Sequence, residues 1–158
     1  MENKTNVMRI LDKEKIKYEV IDCTSMPFVS ANEVCKTLNI NPDIDFKTLV
    51  TIGKSNNHYV FVIPASKTLD LKKAAKAVNE KNIEMIPLKD LLKVTGYMHG
   101  GCSPIGMKKH FTTIFDESVT NHKEIYFSAG KVNEIIKISV EDIKKVIPCE
   151  FINVTKDN

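Results

Sequence analysis

The sequence predicts a mixed α and β single domain in which several strands curl around one core. Two observations carry this. Apolar residues recur at helical and at strand spacing along all 158 residues, with no linker, repeat or low-complexity tract between them. Neighbouring strand-like segments are joined by short turns, which favours antiparallel or mixed pairing over a doubly wound parallel sheet. A chain of this length buries roughly two-thirds of the surface its unfolded form exposes, enough for a core without staples.

Taken in order, Val7, Ile10 and Leu11 lie at helical spacing within Thr5 to Glu14, and Tyr18 to Ile21 reads as a strand. Ser30-Ala31-Asn32-Glu33 is a capping box that should start a helix through Val34, Cys35 and Leu38. Lys47 to Ile52 and His58 to Ile63 are strands, and Gly53 to Asn57 between them is turn chemistry, so they predict a hairpin. Leu71, Ala74, Ala75 and Val78 mark the buried face of a helix whose other side carries Lys72, Lys73 and Lys76.

Ile83 to Ile86 is a short strand. Pro87 then opens a helix over Leu88 to Thr95, which Gly96 closes. Thr112 to Phe115 is a strand. Glu124 to Ser128 and Glu134 to Ser139 are two more, joined by Ala129 to Asn133. Ser139 should cap a helix ending near Val146, and Phe151 to Val154 can add a last strand.

Composition excludes several classes. No apolar run approaches the ~18 residues of a membrane span, and the polar N-terminus lacks the apolar stretch of a secretory signal, so a soluble cytoplasmic protein is expected. Cys23, Cys35, Cys102 and Cys149 are scattered, without zinc-knuckle or C-x-x-C spacing, and read as free thiols. His58, His99, His110 and His122 show no metal-binding spacing, so no metal is expected. The net charge of +3 rests almost wholly on lysine, Arg9 being the only arginine. An RNA partner would therefore be held by loose phosphate attraction rather than bidentate readout.

The most unusual stretch is Val94 to Lys109, which holds four of the six glycines. Glycines allow positive φ and close approach of a ligand to backbone N–H groups, and a run of such amides suits a carboxylate, phosphate or developing oxyanion. An ordinary irregular connection is the competing reading. Walker spacing and G-x-G-x-x-G are both missing, so no nucleotide cofactor is expected. Lys47 opens an apolar strand after Phe46, and on its own reads as an exposed strand end. Cys102, three residues from His99, offers a nucleophile reading. Asp116-Glu117 reads as a solvated cap.

Phe46-Lys47-Thr48-Leu49-Val50, Val62-Ile63-Pro64 and Leu69 to Ala75 together resemble the YbaK/EbsC-type aminoacyl-tRNA editing domains. So do Leu91 to Tyr97 running into Gly100-Gly101-Cys102-Ser103-Pro104-Ile105-Gly106, and Ser128-Ala129-Gly130. The match spans nearly the whole chain in order, and is nearer to the free-standing cysteinyl-tRNA(Pro) deacylases than to the insertion domain of prolyl-tRNA synthetase.

The resemblance implies one domain over residues 1–158, a six- to seven-stranded mixed β-barrel flanked by helices. It implies clearance of Cys from tRNA(Pro), and also from tRNA(Cys), sometimes in complex with prolyl-tRNA synthetase. It makes Lys47 essential and places Gly100, Gly101 and Cys102 around the substrate carbonyl. Tyr18, Phe28, Thr48, Ser103, Pro104, Ser128 and Gly130 would line the pocket. Lys72, Lys73, Lys76, Lys108 and Lys109 are the candidates for holding the tRNA backbone. In Cys-specific members the substrate's own thiol is thought to attack its ester. One departure is visible: where relatives often carry an acidic residue shortly after Ser-Ala-Gly, only Glu134 lies nearby. Three other readings stay open: a deacylase for another mischarged tRNA such as Ala-tRNA(Pro), a non-catalytic tRNA- or synthetase-binding module, and a hydrolase using Cys102.

Overall fold

The structure, a computed structural model, describes residues 4–22 and 38–157. Within them the chain forms four α-helices and eight strands. Helix α1 spans Asn6–Lys13 and strand β1 Tyr18–Asp22. The hairpin strands are β2, Phe46–Gly53, and β3, His58–Pro64, followed by α2, Leu71–Ala77, and β4, Ile83–Met85. A 3₁₀ turn at Leu88–Asp90 leads into α3, Leu91–Thr95. Strand β5 is Thr112–Asp116, followed by a 3₁₀ turn, Glu117–Asn121; β6 is Glu124–Lys131 and β7 Glu134–Ser139. Helix α4, Val140–Val146, and β8, Glu150–Ile152, end the fold. The capping box at 30–33 and Phe28 lie outside the described residues.

Local chemistry sets the helix ends. Thr5 caps α1 by accepting from the Met8 N–H at 3.3 Å, and Asp70 caps α2 by accepting from the amides of Lys72 and Lys73 at 2.9 and 3.1 Å. Gly96, at φ +87°, closes α3. Ser139 stands at the N-terminus of α4 but its hydroxyl makes no capping bond. The helix expected over 88–95 is broken at Asp90 into the 3₁₀ turn and α3.

The strands form two sheets, one in the order β1-β7-β6 and one in the order β4-β2-β3-β5-β8. The pairing is mixed: β2–β3, β2–β4, β1–β7 and β6–β7 are antiparallel, whereas β3–β5 and β5–β8 are parallel. The two sheets meet at one corner, where the Tyr126 N–H donates to the Ile44 carbonyl at 2.8 Å and Asp45 bridges Tyr126 in parallel. From Thr51 onward β4 takes that edge of β2, so β6 pairs only with its entrance. The closed six- to seven-stranded barrel is therefore not formed among the described residues.

The five-stranded sheet is covered on both faces. Val60, Phe61, Val62 and Ile63 are all fully buried, which is why β3 reads as a continuous apolar run rather than an alternating one. Val60 and Val62 join Phe46, Phe115, Phe127 and Leu11 in the larger core, between the sheets and under α1. Phe61 and Ile63 join Ala74, Ala75 and Val154 in a smaller core beneath α2. Strands β6 and β7, covered on one face, alternate as half-buried strands do.

The candidate active site

Lys47 lies directly opposite Ile63 in the β2–β3 register, so strand alternation puts it on the face of Leu49 and the smaller core. It is half-buried, and burial pushes its amine below the usual lysine range. It is not the free strand-end lysine that its position suggests. Thr48 takes the opposite face, with Phe46 and Val50, and its Oγ1 is buried with no hydrogen-bond partner among the described residues. An orphaned buried hydroxyl costs stability, and this one faces the larger core, on the side of the sheet away from Lys47.

The Asp45–Tyr126 bridge carries Lys47 toward Ser128. Each lies two residues beyond the bridge, on strands that run in the same direction. Ser128 is half-buried, on the face of β6 away from the buried Phe127 and Ala129, and its Oγ accepts from the Gly130 N–H at 3.0 Å. A register shift between Ser128 and Lys131 marks a β-bulge there, and Gly130 sits in it at φ +93°.

The glycine-rich loop packs against this bulge. A Cβ on Gly101 would lie 2.8 Å from the Val132 backbone nitrogen and 3.0 Å from the Lys131 carbonyl carbon. Only glycine allows that approach. The Gly101 N–H donates to the Met98 carbonyl at 2.9 Å, so Gly101 is a packing residue and not an oxyanion donor. The amides of Gly100 and Cys102 make no hydrogen bond among the described residues. They are the candidates for meeting a substrate oxygen.

Ser103 and Pro104 are buried, and the Ser103 Oγ accepts from the Ile105 N–H at 3.2 Å, so both shape the loop from within. Burial pushes the Cys102 thiol up to about 12, which suppresses its thiolate and argues against a nucleophile.

Other expected residues fall elsewhere. The Cα of Tyr18 lies across β7 from Ile125, two strands and three residues from Ser128, and its hydroxyl donates to Asp12 at 3.0 Å. Lys73 is committed to the C-terminal segment: its Nζ reaches the Thr155 carbonyl at 2.7 Å, Asp157 at 2.9 Å and Asn153 at 3.5 Å. Those bonds set it apart from Lys72 and Lys76, its neighbours on α2. Lys72, Lys76, Lys108 and Lys109 are exposed, with the stem of Lys108 lying over Gly96. Asp116 is a cap but a buried one, accepting from the amides of Ser118 at 3.2 Å and Val154 at 3.0 Å.

Two residues gain weight from the structure: Glu134, which the sequence offered only as a nearby acid, and Tyr97, which it did not single out. Glu134 is buried directly across from Asp22, and burial, then the Asp22 carboxylate, push its acid up. Tyr97 is buried between the loop and the bulge. A tyrosine directly after the helix-stop Gly96 is a cue, because a buried phenol needs a partner for its hydroxyl. No cluster of ligating side chains that could hold a metal occurs among the described residues.

A family model described as the aminoacyl-tRNA editing domain matches residues 26–146. The chain belongs to the aminoacyl-tRNA editing domain family. An Enterococcus faecalis (strain ATCC 700802 / V583) member, EbsC, is 42% identical over 155 residues, 98% of this chain and 94% of its own. It carries the provisional name Cys-tRNA(Pro)/Cys-tRNA(Cys) deacylase.

Among solved structures, the hypothetical protein APE2540 superposes with a TM-score of 0.88 at 17% identity, over 96% of this chain and all of its own. A protein described as a candidate trans-editing enzyme for prolyl tRNA synthetase gives 0.80 at 17% identity, over 97% and 99%. At such identities the likeness shows the fold: a mixed α+β editing-domain architecture. No described helix is long and apolar enough to cross a membrane.

Proposed function

We propose that this editing domain is a free-standing cytoplasmic deacylase that clears Cys mischarged onto tRNA(Pro), and also Cys-tRNA(Cys). Two observations support the reading: a half-buried lysine, Lys47, on a strand whose entrance bridges β6, and the Gly100–Cys102 loop packed on the bulge of that same strand β6. The name carried by its 42% identical relative supports the substrate. The proposed unit is one domain over residues 1–158, working on aminoacyl-tRNA with prolyl-tRNA synthetase as a partner, and needing no cofactor.

An aminoacyl ester is already activated, so orientation and oxyanion stabilisation suffice. The Gly100 and Cys102 amides receive the carbonyl oxygen as it gains charge. Lys47 holds the substrate's terminal ribose or carbonyl electrostatically, its ammonium strengthened by a partly dry surrounding. The substrate thiol attacks its own carbonyl: the S–C bond forms, the ester C–O bond breaks, and the thiol proton ends on the 3′-oxygen. Free tRNA and a thiolactone leave. Attack by water gives the free amino acid from the same pocket.

A panel of Cys-, Ala- and Pro-charged tRNA(Pro), with Cys-tRNA(Cys), tests this. Fast deacylation of the Cys-charged species, with Pro-tRNA(Pro) spared, is expected. Binding without deacylation of any member would make the chain a binding module instead.

A further inference from the structure

Three segments must hold one relation for the proposed site to exist: the glycine loop, the bulge in β6 and the end of α3. Tyr97 touches all three. Its N–H donates to the Thr95 Oγ1 at 3.0 Å, and that hydroxyl in turn donates to the Leu91 carbonyl at 2.8 Å, tying the residue to the last turn of α3. Its own hydroxyl donates to the Ile105 carbonyl, across the loop from Gly101.

Two glycines are shaped around it. A Cβ on Gly106 would lie 2.8 Å from the Tyr97 hydroxyl oxygen, and one on Gly130 would lie 3.1 Å from the ring. Both glycines also hold positive φ, so a side chain there would be strained as well as crowded. Gly130 in turn donates to the Ser128 Oγ. A continuous path of contacts therefore runs from Ile105 through the phenol to Gly130 and Ser128. The loop's other attachments bypass the phenol: Gly101 lies on Lys131 and Val132, the Lys108 N–H donates to the Thr95 carbonyl at 3.0 Å, and Gly106 lies against Asn6 and Ile10.

We infer that Tyr97 is a positioning residue for the proposed reaction, its hydroxyl fixing the Gly100–Gly106 loop relative to the Ser128–Gly130 bulge. The inference rests on the deacylase reading. The phenol itself stays out of the chemistry. It is buried at 9% exposure with its proton engaged by Ile105, and burial pushes its acidity out of reach, to about 12. Removing the hydroxyl leaves the ring's packing against Gly130 in place and frees the Ile105 carbonyl. The loop can then shift by a few tenths of an ångström, and the donors aimed at the carbonyl oxygen shift with it. Misplacement of donors lowers turnover more than binding.

The test is Tyr97→Phe, measured two ways on the whole protein. Turnover of Cys-tRNA(Pro) should fall about tenfold in kcat, with KM within about twofold and an unaltered pH profile. Backbone hydrogen exchange should quicken in residues 100–106 and remain unchanged in β2, β3 and β5. Unchanged kcat and exchange would overturn the inference. So would a variant whose exchange quickens throughout, or whose fall in rate tracks the fall in folded protein, since the role would then be structural alone. If the wild-type protein deacylates nothing, the deacylase reading fails by itself. The exchange comparison still decides whether the hydroxyl holds the loop, and equal rates there overturn the inference.

Discussion

Lys47 and Ser128 each lie two residues beyond the Asp45–Tyr126 bridge, on parallel-running segments of β2 and β6, and alternation turns both away from the larger core. Residues 81 positions apart in the numbering thus lie at the same step past the corner where the two sheets meet. The pairing that produces this includes the Asp45–Tyr126 bridge and the hydrogen bond from the Tyr126 N–H to the Ile44 carbonyl.

The pH dependence of activity should follow Lys47. Its amine is depressed below the usual lysine value of 10.5 by burial. If the ammonium form positions the ester, the rate falls as pH rises through that depressed value. Lys47→Arg, which stays charged, should lose the alkaline limb while keeping part of the rate. Stability should move the other way. The folded state binds this proton less tightly than the unfolded chain, so the lysine's unfavourable contribution is full at low pH and fades as pH approaches 10.5. Rate profiles of both proteins between neutral and alkaline pH check the first point.

Cys102→Ser should deacylate at a rate within about twofold of wild type. With the thiol at about 12, the thiolate fraction at pH 8 is about one in 10⁴, too small to serve as a nucleophile. The measurement is the turnover of a mischarged tRNA whose amino acid has no thiol. Abolished turnover there would restore the cysteine-hydrolase reading.

Gly101→Ala should damage both fold and activity. The new methyl meets backbone atoms of Lys131 and Val132, which cannot rotate aside. A cost of about 2 kcal/mol follows, which lowers Tm by roughly 4–8 °C in a domain of this size. Thermal unfolding followed by circular dichroism reads it directly.

The lysines should separate by role. Lys73→Ala removes the amine that holds Asn153, Thr155 and Asp157, and should lower Tm while leaving KM for tRNA unchanged. Replacing exposed Lys108 and Lys109 by Ala should leave Tm alone and raise KM. It should also flatten the salt dependence, by roughly 0.7–0.9 in log–log slope for each phosphate that the protein no longer neutralises. Titrations over a range of salt concentrations distinguish the two.

Much of the fold was legible because its signals are local. The β2–β3 and β6–β7 hairpins, the apolar face of α2 and the Gly96 stop each depend on residues a few positions apart. The parallel β3–β5 and β5–β8 pairings and the β1–β7 ladder join distant segments, and nothing in the local pattern specifies them. The site divides in the same way. The loop announced itself through glycine, but the job of Gly101 is set by Lys131 and Val132 thirty residues on. Burial of Lys47 depends on α2 and its core covering that face. Lys73 looked like its neighbours Lys72 and Lys76 because its partners lie some eighty residues away.

The most direct test of the central claim compares the wild-type protein and Lys47→Ala on Cys-tRNA(Pro) under single-turnover conditions, with circular dichroism as the control for folding. Rapid deacylation by the wild type is expected, and for the variant a rate at the uncatalysed background with an equal or higher Tm, because a half-buried amine is gone. Near-normal turnover by Lys47→Ala would contradict the central claim.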